Sequence, residues 1–408
     1  MSETVFTYAA PALKFGIGAS AEVGHDLATY GARRVLLVTD PGVAATGHPA
    51  RIAEQVGARG LEVTTYDGVH VEPTDDSLRE AIAFARDAGP FDAILAVGGG
   101  SSIDTAKAVN LLTTNPGELL DYVNAPIGRA QAPTERLLPL VAVPTTTGTG
   151  AESTTICVLD VLSLRVKTGI SHPALRPTLA VVDPGLTLTQ PAAVTAAAGM
   201  DILCHALESW TARWYADFEA KRPEQRVPYC GANPIADLWS EKAMTLLAGV
   251  FRDAVRDGTD LAAREQMAMA ATFAGLGFGN AGVHIPHANA YPIAGRSEVL
   301  VPHGVAVSLT APEAFRFTFD AAPERHLHAA RLLDPTVAPG PDALPTVLTA
   351  LMRDIGLPNG LGAVGYGEAD VDDLVAGAVQ QQRLLATAPK SPTDEDLAAV
   401  FRRSMEHW

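Results

Sequence analysis

Short runs of apolar and β-branched residues recur through the first half of the chain: RVLLVTD, LEVTTYDG, FDAILAVGGG, LLPLVAVPTTT and TLAVVDPG. The segments between them carry apolar residues at helical spacing. Strand and helix in alternation predict a mostly parallel sheet with helices on both faces. After Val182-Asp183-Pro184 the pattern changes to long Ala- and Leu-rich stretches around 192–212, 235–256 and 260–279, with no strand signal among them. An all-helical second half follows, with the boundary at the Pro-Gly turn that closes the last strand, giving domains at 1–187 and 188–408. The Pro-rich stretch KRPEQRVPYCGANPI is expected to be an irregular surface loop between helices.

A length of 408 residues agrees with two domains, each large enough to bury its own core. The 46 acidic residues against 30 basic ones leave a formal charge of −16, which repels nucleic acid and anionic membranes and so removes both as partners. Three cysteines, Cys157, Cys204 and Cys230, show no C-x-x-C spacing, so neither a disulfide framework nor a thiolate zinc site is indicated. No apolar run reaches the roughly 18 residues of a membrane-spanning helix, and the start of the chain shows no leader pattern. A soluble cytoplasmic protein is the expectation.

Two loops carry candidate chemistry in the first half. Gly98, Gly99 and Gly100 end a strand directly before a helix that opens with Ser101 and Ser102. Glycine lets backbone amides approach a phosphate, and a helix N-terminus adds unpaired N–H groups and a favourable dipole. The same residues also suit a plain tight turn, since the spacing is neither G-x-G-x-x-G nor a Walker loop. The second loop, PTTTGTGAE, sets the hydroxyls of Thr145, Thr146 and Thr149 among glycines after another strand. Both loops would lie at the carboxyl edge of the sheet, where open α/β folds bind ligands. Asp40 ends the RVLLVTD strand; a carboxylate there either bonds ribose hydroxyls, favouring NAD over NADP, or starts the turn at Pro41-Gly42.

The second half offers a metal site. Asp201 and His205 stand four apart in a helical stretch and share one face, among Met200, Ile202, Leu203 and Ala206. Three of the eleven histidines, His284, His287 and His303, fall within 20 residues farther on. One carboxylate and neutral imidazoles suit Fe²⁺ or Zn²⁺ with a position left open. Spacing alone does not choose between His284 and His287.

In order and spacing, GGGSSIDTAK, PTTTGTGAE, GMDILCHALES and VPHG resemble the motifs of the iron-containing (group III) alcohol dehydrogenase family, from residue 5 to the C-terminus. The stretches VEPTDDSLREAIAFA, DYVNAPIG, GFGNAGVHIPHANAYPIAG, PERHLHAA and SPTDEDLAAVF resemble its hydroxyacid-oxoacid transhydrogenase branch. The resemblance implies the dehydroquinate synthase-like fold, with metal and substrate between a dinucleotide-binding domain and a helical one. It also implies a homodimer or higher oligomer acting on a small alcohol, hydroxy acid or oxo acid. By motif position the metal ligands would be Asp201, His205, His287 and His303, and the NAD site would include Gly99, Gly100, Ser101, Asp104, Thr145, Thr146, Thr149 and Lys167. Many relatives carry a second histidine four residues after the metal histidine; Tyr291 stands there in this chain, so the proton relay falls to Tyr291 or His284, or to water and a ribose hydroxyl. The segment RSEVL between Gly295 and Val301 is shorter than its counterpart in the animal transhydrogenase.

Overall fold

The five apolar runs become strands of a single parallel sheet of six. Its members are β1 (Ala12–Phe15), β2 (Arg34–Val38), β3 (Glu62–Tyr66), β4 (Ala93–Gly98), β5 (Leu140–Pro144) and β8 (Leu179–Val182), in the order β1-β8-β5-β4-β2-β3. The structure is a computed structural model that describes residues 2–164, 166–296 and 301–408, so most of RSEVL lies outside the described residues. Alternate side chains of the inner strands enter two different cores: Leu36, Ile94 and Ala142 one, Val35, Leu95 and Val141 the other. Burial on both faces is why these strands read as continuous apolar runs rather than as alternating ones. From β2 the chain leaves on one side for β3 and returns on the other for β4, so the connections diverge between β2 and β4. Ligands of open α/β sheets bind at such a reversal.

Three strands were not expected. β1 is a four-residue edge strand, too short to show a period. β6 (Ile156–Val161) and β7 (Val166–Ser171) form a separate antiparallel ribbon, in which Asp160 faces Lys167 directly. These two charges interrupt the apolar pattern in sequence, yet opposite each other on a ribbon they are a favourable cross-strand pair. The helix Gly100–Thr114 is tied to this ribbon from within. Lys107, fully buried, donates to Asp104 Oδ1 (3.0 Å), Thr154 Oγ1 (3.1 Å) and the Ile156 carbonyl (2.6 Å), and Asp104 Oδ2 accepts from the Val158 amide at 2.9 Å.

The chain divides into a unit of Ala10–Gln190 and a second unit that joins Pro191–Trp408 to the residues up to Ala9. The first residues group with the helical unit because the buried carboxylate of Glu3 accepts hydrogen bonds from both terminal nitrogens of Arg226 and from the Lys221 amide. Glu3 thereby pins the Pro-rich loop, which is irregular apart from one 3-10 turn at Pro223–Gln225. Among the described residues every strand precedes Asp183. The helices Ala192–Thr211, Pro234–Arg256, Leu261–Ala281, Ile285–Arg296 and His303–Thr318 surround a core that includes Leu203, Met244, Phe251 and Phe315. Asn233 and Asp260 cap the second and third of these, each accepting from two backbone amides in the first turn. Among the described residues no helix is long and apolar enough to cross a membrane.

Candidate functional site

In a parallel sheet every strand ends at the same edge, so the segments after β2, β4 and β5 are neighbours. The two glycine loops touch. A Cβ on Gly99 would sit 3.1 Å from Thr146 Oγ1, and one on Gly100 2.9 Å from Thr149. A Cβ on Gly98 would lie 2.3 Å from Ser102 Oγ, so the turn admits no side chain there. The Gly100–Thr114 helix begins with no side-chain cap, leaving its first N–H groups for another acceptor. Among the described residues, Thr39, Thr145 and Thr147 each bury a hydroxyl with no hydrogen-bond partner. Buried polar groups are almost always satisfied, and an uncapped helix start beside such hydroxyls has the chemistry that suits a diphosphate and its sugars.

Asp40 joins two of these segments. Its Oδ1 accepts from the Val43 amide (3.0 Å), capping the short helix Pro41–Ala44, and its Oδ2 accepts from Ser102 Oγ (3.1 Å). Ser101 Oγ accepts from the Glu72 amide at 3.1 Å. Asp104 and Lys167, which the resemblance sets beside the cofactor, are both engaged within the protein. Both Asp104 oxygens are taken by Lys107 and Val158, and burial pushes its carboxyl up although Lys107 opposes the shift. Lys167 meets Glu72 (2.6 Å) and Asp160 (3.0 Å); burial works against its charge, but the two carboxylates prevail and hold its pKa above the ordinary value.

The helical unit carries the second constellation. Donor atoms of Asp201, His205 and His287, all buried, lie within 4.8 Å of one another. Asp201 Oδ1 is the hub, 3.4 Å from His287 Nε2, 3.8 Å from His205 Nε2 and 3.9 Å from His303 Nε2. Four donors about 2.1 Å from a tetrahedral divalent ion stand roughly 3.4 Å apart, so this spacing is close to that of a metal cage. Asp201 Oδ1 and His287 Nε2 face each other at 3.4 Å, and neither has a well-formed hydrogen bond among the described residues. A buried carboxylate facing imidazole nitrogens is costly unless a cation, a proton on the ring or a metal ion, lies between them. His303, with a side chain 26% exposed, is the most open of the four.

Electrostatics agrees with a cation site. Burial alone would raise the Asp201 carboxyl, but His205, His303 and His287 pull it well below the usual carboxylate range. Burial lowers His205 to about 3, which keeps the ring neutral and able to ligate. For His287 burial also works against charge, yet Glu208 and Asp201 outweigh it and push the pKa up to about 9. A position that stabilises a proton so strongly carries excess negative charge, the setting in which a divalent ion displaces that proton.

His284 and His287 separate in three dimensions. His284 donates through Nε2 to Thr211 Oγ1 at 2.9 Å, since the threonine hydroxyl itself donates to the Leu207 carbonyl, and the imidazole packs edge-on to Phe315. Burial lowers its pKa to about 4. Its nitrogens are not among the clustered donor atoms. Tyr291 is buried in a small cluster with Phe278, Val283, Ala288 and Leu384. Sequence reasoning missed Glu208, which is fully buried and accepts from His287 Nδ1 at 2.5 Å. Its signal was its spacing, seven residues after Asp201 and three after His205, on the same helical face. Gly304 was also passed over: a Cβ there would lie 2.1 Å from the Ala197 carbonyl oxygen and 3.1 Å from Asp201 Cβ.

Comparison with known proteins shows the family. The family description "Iron-containing alcohol dehydrogenase" matches residues 10–184, and that of the C-terminal region of the Fe-containing alcohol dehydrogenases matches 224–405. Over 424 aligned residues the chain is 44% identical to the mitochondrial hydroxyacid-oxoacid transhydrogenase of Bos taurus, covering 99% of this chain and 91% of that one. The crystal structure of a 1,3-propanediol oxidoreductase superposes with a TM-score of 0.88 at 32% identity, covering 98% of this chain and all of the other. Sulfoacetaldehyde reductase from Bifidobacterium kashiwanohense, solved in complex with NAD+, superposes at 0.84 with 26% identity over 98% of this chain and 99% of its own. The expected cytoplasmic location is overturned here, because the Bos taurus relative and those of Rattus norvegicus and Mus musculus are named as mitochondrial. Net charge and cysteine usage, on which the expectation rested, do not distinguish one compartment from another.

Proposed function

The chain belongs to the iron-containing alcohol dehydrogenase family, and from that premise we propose that it moves hydride between a hydroxy acid or alcohol and NAD in the manner of a hydroxyacid-oxoacid transhydrogenase. In that reaction 4-hydroxybutyrate and 2-oxoglutarate give succinate semialdehyde and 2-hydroxyglutarate, the hydride leaving one carbinol carbon and arriving at the other. The observation that carries the reading is the buried Asp201 carboxylate facing three imidazole nitrogens at 3.4–3.9 Å. Asp201, His205, His287 and His303 would hold a divalent ion, iron by family and zinc as the other ion this donor set accepts. When bound, the metal supplies Lewis acidity toward a hydroxyl or carbonyl oxygen, and NAD accepts and returns the hydride.

The protein's own groups set the conditions. Asp201 is held ionised and His205 neutral, so the donors bring a single negative charge and leave a divalent site net positive. Gly98–Gly100, Ser101 and the Thr145–Thr149 loop would receive the NAD diphosphate and sugars, with Asp40 favouring NAD over NADP. Tyr291 stands one helical turn after His287 and on its face, and is the proposed proton relay; His284 is committed to Thr211. The enzyme would work as a homodimer or higher oligomer on small-molecule substrates.

The similarity to a 1,3-propanediol oxidoreductase favours a second reading, an ordinary NAD-linked alcohol or 4-hydroxybutyrate dehydrogenase that releases its cofactor each cycle. The test is to assay metal-loaded, purified protein with 4-hydroxybutyrate and 2-oxoglutarate and no added NAD. Sustained formation of both products is expected; turnover only after NAD is supplied would establish the second reading, and no turnover under either condition would contradict both.

A further inference from the structure

Glu208 has no place in the donor set, yet it is fully buried, and among the described residues its side-chain hydrogen bonds go to the residues that present His287. Its Oε1 accepts from His287 Nδ1 at 2.5 Å. Its Oε2 accepts from the backbone amides of His284 (2.5 Å) and His287 (3.4 Å), at the start of the Ile285–Arg296 helix. Glu208 belongs to the same helix, Ala192–Thr211, that carries Asp201 and His205. One carboxylate therefore fastens the third donor to the helix that supplies the first two.

We infer that Glu208 is a positioning residue that fixes the His287 ring with its proton on Nδ1 and its Nε2 lone pair turned to Asp201, and that its charge completes the balance for a divalent cation. The inference rests on the proposed metal site and deepens it. A neutral imidazole has one N–H and one lone pair, and a carboxylate beside Nδ1 is an acceptor only, so the proton must stay on that side. Imidazole ligands are commonly oriented in this way by a carboxylate on the far nitrogen. Charge agrees as well: the donors themselves leave a divalent ion with one net positive charge, and the buried Glu208 carboxylate, which is not a donor, offsets that remaining charge from beyond the His287 ring.

Glutamine in place of Glu208 makes the distinction sharp, because an amide has one oxygen and one NH₂ group. The two backbone amides cannot exchange donor for acceptor, so the amide oxygen goes to them and the NH₂ faces Nδ1. The ring answers by moving its proton to Nε2, which removes the lone pair that would bind metal. Size and shape hardly change.

The experiment is chelator competition for Zn²⁺ and Co²⁺ on the full chain, together with the visible spectrum of the Co²⁺ form and the melting temperature of the metal-free protein. Glu208→Gln is expected to weaken metal binding about 10- to 100-fold and to alter the Co²⁺ spectrum while the metal-free melting temperature stays close to that of the unaltered protein. In a His287→Ala background the same change should cost little more, since the group it acts through is gone. Glu241→Gln, which also removes a carboxylate–imidazole contact (to His328, 2.7 Å) but away from the donors, should leave metal affinity unchanged. Unaltered protein that binds metal while Glu208→Gln binds it equally well would overturn the inference alone. An equal loss with or without His287 would also overturn it; unaltered protein that binds no divalent ion would overturn the metal site itself. Should Glu208→Gln fold poorly, nitrogen NMR of zinc-loaded protein decides: His287 protonated on Nδ1 is expected, and a proton on Nε2 overturns the inference.

Discussion

Replacing His205 with alanine is expected to give a folded protein that retains no stoichiometric divalent metal and turns over roughly a thousandfold more slowly, or worse. A bound metal contributes several kcal/mol of stabilisation to developing charge on oxygen, and each 1.4 kcal/mol or so is a factor of ten in rate. His205 is the donor least replaceable by its surroundings. It lies on the same helix as Asp201, its Nε2 is 3.8 Å from the hub oxygen, and its ring is stacked on Phe278 at 3.8 Å, which fixes the plane of the imidazole. Alanine removes a ligand and opens a gap beside Phe278 that water can enter, and water does not restore a buried, preoriented nitrogen. Elemental analysis of the dialysed protein, with circular dichroism as the check on folding, gives the answer. A variant that keeps one equivalent of metal and near-normal turnover would remove His205 from the centre.

Gly304→Ala is expected to cost about 1–3 kcal/mol of stability and, through His303 beside it, to weaken metal binding. An added methyl group is usually absorbed when it meets the end of a flexible side chain. Here it meets backbone. The Cβ would stand 2.1 Å from the Ala197 carbonyl oxygen and 2.7 Å from its carbon, so the His303–Thr318 helix would have to move off the Ala192–Thr211 helix. His303 is the first residue of the helix that moves, and Asp201 Cβ is the third atom in the way, at 3.1 Å. The glycine of the VPHG motif therefore sets the distance between two helices that each bring a donor to the proposed centre. Urea unfolding and chelator competition on one preparation test both parts; an alanine variant with unchanged midpoint and affinity would contradict the close approach.

How much of this was legible in the sequence depends on the range of the interaction. Asp201 and His205 were readable as a pair because a helix converts a spacing of four into a shared face, and the apolar residues around them signalled burial. The same rule reaches Glu208, but a glutamate late in a helix looks like ordinary surface charge until its partners, 76 and 79 residues onward, are known. The tie between His284 and His287 has the same origin. Three apart at the start of one segment, they differ only in what the fold sets against them: Thr211 and Phe315 for one, Asp201 and Glu208 for the other. The sheet was legible because its inner strands are buried on both faces, whereas the β6–β7 ribbon was hidden by the Asp160 and Lys167 charges that stabilise it. Asp104 has a structural tie that motif position does not show. Its partner Lys107, three residues along the same helix, was in plain view, and the pair joins helix to ribbon.

The most direct measurement follows the hydride itself. Metal-loaded protein is incubated with 4-hydroxybutyrate deuterated at its carbinol carbon and with 2-oxoglutarate, without added NAD, and the 2-hydroxyglutarate formed is analysed by mass spectrometry. Hydride transfer through a cofactor held in the Gly98–Gly100 and Thr145–Thr149 loops puts the deuterium on C2 of 2-hydroxyglutarate, and His205→Ala abolishes its appearance. Product that forms without deuterium, or labelled product made equally well by His205→Ala, would contradict metal-dependent hydride transfer between the two acids.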